Sequence, residues 1–161
     1  MNKVTIISII GALLVVAGAV AYSSSTSSIS PQLAEVAIAS EIVVDRDSHD
    51  FGEIDIFAGT VQSDFTLTNT GTEDVTVSKA TTSCGCTEGS IAGESFGMHE
   101  GLAQSIIIPA GGTEIVTAIY DPLAHGPNAT GEITRQLFLT TNSETTSEIE
   151  LRVSANVFKN E

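Results

Sequence analysis

The chain has only two cysteines, and they lie one residue apart in Ser83-Cys84-Gly85-Cys86-Thr87. This spacing excludes a bridge between distant segments, so three chemistries remain open. The pair can close a local disulfide over a bend that Gly85 would permit, chelate a soft ion such as Cu(I) or zinc, or pack as buried thiols. Thiols outside the cytoplasm tend to be oxidised, which favours the disulfide or oxidisable pair.

A metal site at this pair would need further ligands, because two thiolates are too few for a closed zinc site, so Met98, His99 or His125 would have to complete it. The glycine-bearing stretch that follows, residues 94–104, offers Met98 and His99. The candidate metal ligands are therefore Cys84, Cys86, Met98 and His99. We expect the stretch to be a long loop or one helical turn and to lie beside the cysteines.

Catalysis is not indicated by the sequence. A Cys-x-Cys pair lacks the helix N-terminus that lowers the thiol pKa in Cys-x-x-Cys oxidoreductases, so redox catalysis is a minor alternative. His49 stands at a strand edge and is expected to be a surface or hydrogen-bonding residue rather than a ligand, and His125, in a Pro/Gly-rich turn, is expected to be exposed to solvent. Because no Ser/His/Asp order, phosphate loop or carboxylate pair stands out, we predict no enzyme activity and no cofactor.

The elements that position the cysteines are predicted to be strands. Residues 61–68 alternate between apolar and polar side chains, which is typical of a half-buried strand. Residues 115–120 are apolar on both faces and predict a central strand. Arg135 falls on the apolar side of its strand, so we expect it near a strand end or with its charge reaching water. Turn signals such as Pro109-Ala110-Gly111-Gly112 separate these runs and indicate a sandwich or barrel.

Several short phrases, taken in order, resemble a bacterial family, the domain of unknown function 1573. The phrases are His49-Asp50-Phe51-Gly52-Glu53-Ile54, Phe65-Thr66-Leu67-Thr68-Asn69-Thr70-Gly71, Ser83-Cys84-Gly85-Cys86-Thr87, Ile108-Pro109-Ala110-Gly111-Gly112 and Thr141-Asn142-Ser143. The likeness covers about residues 44–157, and that family resembles the ASH/MSP branch of immunoglobulin-like domains. The resemblance implies an all-β, immunoglobulin-like sandwich of seven to eight strands outside the cytoplasm, with no assigned reaction.

An uncharged apolar stretch, residues 4–22, precedes this region. It is long enough for a membrane-spanning helix, and it also fits a signal peptide that ends at Ala19-Val20-Ala21. Both interpretations remain open. We therefore predict a signal peptide or transmembrane anchor at residues 1–22, a Ser-rich linker at 23–40 and a sandwich domain at 41–158.

The charge balance limits the partners. Twenty acidic residues outnumber six basic ones and give a formal net charge of −14, which disfavours nucleic acid and anionic membrane surfaces. The predicted partner is another envelope protein, with the membrane as a second partner through the N-terminal helix if it is uncleaved. We interpret the chain as a non-catalytic envelope module for protein recognition or scaffolding, membrane-anchored or secreted. The alternative is a soft-metal (copper or zinc) binding or thiol-redox accessory protein that uses the Cys-Gly-Cys motif.

Overall fold

The structure, a computed structural model, describes residues 39–160. Within this range, runs of alternating apolar and polar residues form β-strands. The strands are β1 (Ile42–Val44), β2 (Ser48–Asp55), β3 (Val61–Asn69), β4 (Val75–Thr82), β5 (Thr87–Ile91), β6 (Glu94–Phe96), β7 (Ile106–Ile108), β8 (Thr113–Tyr120), β9 (Gly131–Thr141) and β10 (Glu148–Phe158). Within residues 39–160 no helix is long and apolar enough to cross a bilayer. The predicted leader at 1–22, with its hydrophobic helix, and residues 23–38 of the predicted linker lie outside the described residues.

The strands are divided between two five-stranded sheets. The first sheet has the order β1-β3-β8-β5-β6, and the second has the order β2-β10-β9-β4-β7. Neighbouring strands are antiparallel, except that β2 runs parallel to β10. The predicted all-β class is confirmed, and β8 occupies the central position that its two apolar faces predicted.

Period-two alternation places one face of each sheet in a shared interior. Phe65, Leu67 and Val116 of the first sheet are fully buried in one cluster with Leu137 and Leu151 of the second. Burying a side chain of this size contributes about 1.5–3 kcal/mol. This aliphatic interior holds the two sheets face to face as a sandwich.

A second, smaller cluster fills one end of the sandwich. Its buried members include Ile54 from the end of β2, Ile56 just after that strand, Tyr120 from the end of β8 and Val157 from the end of β10. Cys86 is buried in the same cluster, with only 3% of its surface exposed. The cysteine motif therefore packs on a hydrophobic cluster that is separate from the main core.

The strand count exceeds the predicted seven to eight because three of the ten strands, β1, β6 and β7, have only three residues each. Three residues are too few to display an alternating pattern. β6 also corrects the expectation for residues 94–104, since Glu94–Phe96 pairs with β5 as a strand instead of forming a loop or helical turn. The rest of that stretch is irregular.

The last two residues of the predicted linker pack onto the sandwich. Ser40 is 5% exposed. Its carbonyl accepts a hydrogen bond from Ser143 Oγ (2.8 Å) and its hydroxyl accepts one from the Glu144 amide (2.9 Å). The Ala39 carbonyl accepts a hydrogen bond from the Thr72 amide (3.1 Å). The start of the folded unit is thus fixed by polar contacts to two separate loops.

Candidate functional site

The cysteine motif forms the corner at which the chain passes from one sheet to the other. β4 ends at Thr82 in the second sheet, and β5 begins at Thr87 in the first. The Thr82 hydroxyl bonds to the carbonyls of Cys84 (3.0 Å) and Thr87 (2.9 Å). The Ser83 amide donates to the carbonyl of Gln136 on β9 (2.9 Å). These bonds fix the corner against both sheets.

Cys84 and Cys86 are joined by a disulfide bond across this corner, with their Cα atoms 5.2 Å apart. Cys86 is buried, whereas Cys84 is half-buried. Gly85 between them does not adopt a left-handed backbone conformation, and a Cβ at this position would meet no atom within 4 Å. The backbone at position 85 is therefore one that a residue with a side chain can also adopt. Our expectation that the bend depends on the conformational freedom of Gly85 is wrong.

His125 lies against the accessible sulfur. Its Nε2 is 3.2 Å from Cys84 Sγ, and the Cys86 amide also donates to that sulfur (3.2 Å). The loop between β8 and β9 carries the histidine. The Asp121 carboxylate accepts a hydrogen bond from the Leu123 amide (2.9 Å), and the Asp121 amide donates to the Cys86 carbonyl (3.0 Å). The first bond stabilises the loop itself, and the second ties it to the cysteine corner.

Arg135 lies against the buried sulfur. Its Nε donates to Cys86 Sγ at 3.1 Å, and its Nη1 donates to the Thr134 carbonyl at 2.8 Å. Within residues 39–160, the structure contains no salt bridge to this guanidinium. Its positive charge is therefore directed at the disulfide and is not neutralised by a carboxylate.

Tyr120 shares the hydrophobic cluster beneath the disulfide and pairs in register with Thr87. Burial raises the pKa of its phenol, and the negative charge of Asp121 raises that pKa further. The positive charge of Arg135 opposes the effect by lowering the pKa. The electrostatic influence of Arg135 thus extends to both the sulfur and the phenol.

The candidate metal ligands are not all brought together. Among the described histidines, cysteines and carboxylates, one group has its ligand atoms close enough to share an ion, namely Cys84, Cys86 and His125, within 4.8 Å of one another. His99 is not a member of this group. Met98 and His99 instead line an open groove of about 350 Å³, which Gly85 also lines. The groove confirms that this stretch lies beside the cysteine motif.

Sequence reasoning missed Arg135 as a neighbour of the disulfide, and it named His125 only as one of three residues that could complete a metal site there. Arg135 gave a signal as a charged residue on the apolar side of its strand, but we expected it only near a strand end or with its charge reaching water. His125 was also expected to be exposed, since it stands in a Pro/Gly-rich turn far from the cysteines in sequence. It is exposed, and it contacts Cys84 all the same.

Three connecting segments meet at the end of the sandwich that carries the disulfide. Tyr120 at the end of β8 pairs with Val61 at the start of β3 and with Thr87 at the start of β5. The connections at residues 56–60, 83–86 and 121–130 therefore lie at one end, called the disulfide end below. Two large apolar side chains are exposed in these connections, Phe57 (56%) and Leu123 (41%).

Comparison with known families identifies the domain. Residues 42–157 match the model of the family described as "Protein of unknown function (DUF1573)". The chain belongs to this family. The resemblance inferred from the short phrases is thereby confirmed. A search of curated proteins gave no match to the chain.

Solved structures of similar fold show that this DUF1573 domain is an immunoglobulin-like sandwich. A protein of unknown function from Porphyromonas gingivalis W83 has a TM-score of 0.58 at 13% identity, over 78% of this chain and 51% of that one. This chain therefore spans about half of that protein. The ASH/PapD-like domain 7 of human CEP192 has a TM-score of 0.50 at 15% identity, over 86% and 98% of the two chains.

A third similar structure is a family 123 glycoside hydrolase from Clostridium perfringens, with a TM-score of 0.53 at 10% identity, over 76% of this chain and 27% of that one. At these identities the likeness shows a shared fold alone. Since the same sandwich occurs in a hydrolase and in an ASH domain, fold does not assign an activity to this DUF1573 chain.

Proposed function

We propose that this DUF1573 chain is a non-catalytic, immunoglobulin-like module that works outside the cytoplasm and binds another protein through its disulfide end. The observation that carries the proposal is the exposure of Phe57 and Leu123 on loops that converge there. Loops held by a rigid β-scaffold are common positions for binding residues. Aromatic side chains such as that of Phe57 are enriched in protein interfaces relative to the rest of the surface.

The sheet edges offer less for recognition than the disulfide end. Three of the four edge strands, β1, β6 and β7, have only three residues each. The fourth, β2, is interrupted at Gly52, which has a φ of 70° and whose amide donates to the Asp50 carboxylate (2.9 Å). Short, bulged and charged edges are poor templates for an added strand. The properties of these edges therefore favour binding through the loops of the disulfide end over the addition of a partner's strand to a sheet edge, which the fold also permits.

The predicted partner is a protein with a neutral or basic surface. The formal net charge of −14 repels acidic proteins, nucleic acid and anionic lipid at the distances at which encounters begin. The apolar side chains Phe57 and Leu123 would supply the contact area. The partner is therefore expected to present apolar residues within a basic rim.

The proposed location outside the cytoplasm rests on two features. The apolar stretch at residues 4–22 fits a signal peptide or anchor, and a disulfide at Cys84–Cys86 persists in oxidising compartments. If the stretch is not cleaved, the membrane would be a second partner through it.

Site-specific photo-crosslinking tests the recognition proposal. A photoreactive amino acid replaces Phe57 or Leu123 in the full chain inside the producing cell, and Ile107, which is 58% exposed on β7, is the matched control. We expect one discrete adduct of the same mass from both loop positions and none from Ile107, and loss of the Phe57 adduct in a Leu123→Asp background. Equal adducts from all three positions, or none from the loops, would contradict the proposal.

Soft-metal binding is a second candidate function, favoured by the grouping of Cys84 Sγ, Cys86 Sγ and His125 Nε2 within 4.8 Å. Once the disulfide is reduced, two thiolates and an imidazole form a ligand set suited to Cu(I). Competition of the reduced protein with a chromogenic Cu(I) chelator measures this. His125→Ala should weaken Cu(I) binding while His99→Ala leaves it unchanged; the reverse result would favour the groove containing Met98 and His99.

A further inference from the structure

We infer that the Cys84–Cys86 bond is an exchange-active disulfide that accepts electrons from a dithiol on another protein. In this inference Cys84 is the sulfur attacked, Cys86 is the leaving sulfur, and Arg135 and His125 each assist one step. This activity goes beyond protein recognition and does not depend on it.

The two sulfurs differ in access, and this difference selects the point of attack. Cys86 is 3% exposed in the hydrophobic cluster under the corner, whereas Cys84 is half-buried and faces the exposed loop that carries His125. Thiol–disulfide exchange requires an incoming thiolate to reach one sulfur while the other departs. Only Cys84 offers that approach, so the exchange has a direction.

The buried sulfur has the contact that a leaving thiolate needs. When the disulfide opens, negative charge develops on Cys86 Sγ, which accepts a hydrogen bond from Arg135 Nε at 3.1 Å. A charge-assisted hydrogen bond to a guanidinium stabilises a thiolate more than a neutral donor would. Because Arg135 makes no salt bridge among the described residues, its charge is available for this purpose.

The accessible sulfur has donors for the second step. His125 Nε2 lies 3.2 Å from Cys84 Sγ and donates to it in the tautomer that carries its proton on Nε2. The Cys86 amide donates to the same sulfur at 3.2 Å. Both contacts stabilise Cys84 when it departs from a mixed disulfide.

The electrons and atoms balance over two displacements. In the first, a partner thiolate attacks Cys84 Sγ, the Cys84–Cys86 bond breaks, and its electron pair goes to Cys86. In the second, the partner's other thiolate attacks the partner sulfur of the mixed disulfide and releases Cys84. The partner loses two electrons and becomes a disulfide. The two protons of its thiols end on Cys84 and Cys86.

Trapping the first step in the unmodified chain tests the direction of exchange. Oxidised full-length protein is mixed with excess reduced glutathione, quenched with acid and alkylated, and the cysteine peptide is sequenced by mass spectrometry. We expect glutathione on Cys84 and the alkyl group on Cys86. The inference fails if glutathione is found on Cys86, or if the folded protein reacts no faster than the same protein in denaturant.

Variants test the two assisting residues. Arg135→Gln should slow the reaction with glutathione by about tenfold, the effect of losing one hydrogen bond to a charged group, and Arg135→Lys should restore part of the rate. Arg152→Gln, an exposed arginine paired with Glu150, is the control and should react at the parent rate. His125→Ala should slow the second step with dithiothreitol, in which Cys84 is released from the mixed disulfide, whereas His99→Ala should not slow this step.

The readouts separate a chemical role from a structural one and from the recognition proposal. Denaturation midpoints of all variants show whether the fold is retained. If Arg135→Lys recovers part of the rate with glutathione, the role of residue 135 depends on its positive charge rather than on its shape. Parent rates in both Arg135→Gln and His125→Ala would remove the assigned roles. Failed crosslinking at Phe57 and Leu123 would leave exchange untouched, and failed exchange would leave recognition untouched.

Discussion

The ring of Phe96 lies over Gly89, its directly paired neighbour in the β5–β6 hairpin. A Cβ added to Gly89 would stand 2.2 Å from Cζ of that ring, and Phe96 is only 2% exposed. The ring thus occupies the space that a side chain at position 89 would take. This contact fixes the three-residue edge strand β6 to the first sheet.

Gly89→Ala should therefore destabilise the sandwich by about 1–3 kcal/mol, since overpacking displaces a buried ring. Denaturant unfolding followed by circular dichroism measures this loss. Gly85→Ala is the control, because a Cβ there meets no atom within 4 Å. An equal loss in both variants would contradict the steric account.

Asn69→Asp should destabilise the protein by about 3 kcal/mol, because it removes two buried donors and introduces a charge facing two carbonyls. Asn69 is fully buried, and its Nδ2 donates to the carbonyls of Glu73 (2.8 Å) and Ile108 (2.9 Å). Asn142→Asp is the control, since Asn142 Oδ1 only accepts from the Thr76 amide (2.7 Å). A carboxylate can still accept that bond, so equilibrium unfolding should show little change for Asn142→Asp.

Tyr120 should make the fold sensitive to alkali. Because its pKa is raised in the folded state from the ordinary value of 10.0, the folded protein holds the phenolic proton more tightly than the unfolded chain does. The resulting stabilisation is fully present below pH 10.0 and is lost as pH rises through the folded-state pKa. Tyr120→Phe should reduce the loss of stability in this alkaline range. Unchanged alkaline unfolding in this variant would contradict the assignment.

The pKa of Tyr120 should rise further in Arg135→Gln, because the positive charge that lowers it is removed. The chain has two tyrosines, so Tyr22→Phe leaves Tyr120 as the only phenol to follow by ultraviolet titration. Arg152→Gln in the same background should leave the titration unchanged. A lower pKa in Arg135→Gln would show that the electrostatic relationship is wrong.

Ser143→Ala should loosen the start of the folded unit. The variant loses the bond from Ser143 Oγ to the Ser40 carbonyl (2.8 Å) and the acceptor for the Thr146 amide (3.0 Å). We expect a loss of about 1–2 kcal/mol in stability and faster protease cleavage before β1. Ser147→Ala, at an exposed position, should show neither effect.

The long strands could be predicted because their side chains alternate over enough residues. Residues 115–120 revealed a central strand through apolar residues on both faces, and β8 is central. β1, β6 and β7 could not be predicted in this way, since each spans only three residues. Their pairing is set by tertiary neighbours, as at Gly89 and Phe96.

The candidate site could be predicted in part. The cysteine spacing identified the motif, and His125 was among the residues named to complete a metal site with it. Arg135 stood out as a charge on the apolar side of a strand, but its partner was not predicted. The partner of Arg135, the Cys86 sulfur, follows from sheet pairing. Thr82 at the end of β4 lies opposite Leu137 of β9, and this pairing places the cysteine corner beside Arg135. The position of His125 depends on the path of an irregular loop, which hydrophobic periodicity does not encode.

The parallel pair of β2 and β10 has a consequence for biogenesis. β2 is an edge strand whose one neighbour among the described strands is β10, and Ser48 near the beginning of the domain pairs with Arg152 near its end. A nascent chain must therefore leave β2 unpaired until the last strand has been synthesised. Such high contact order slows folding and delays closure of this sheet edge until β10 is available.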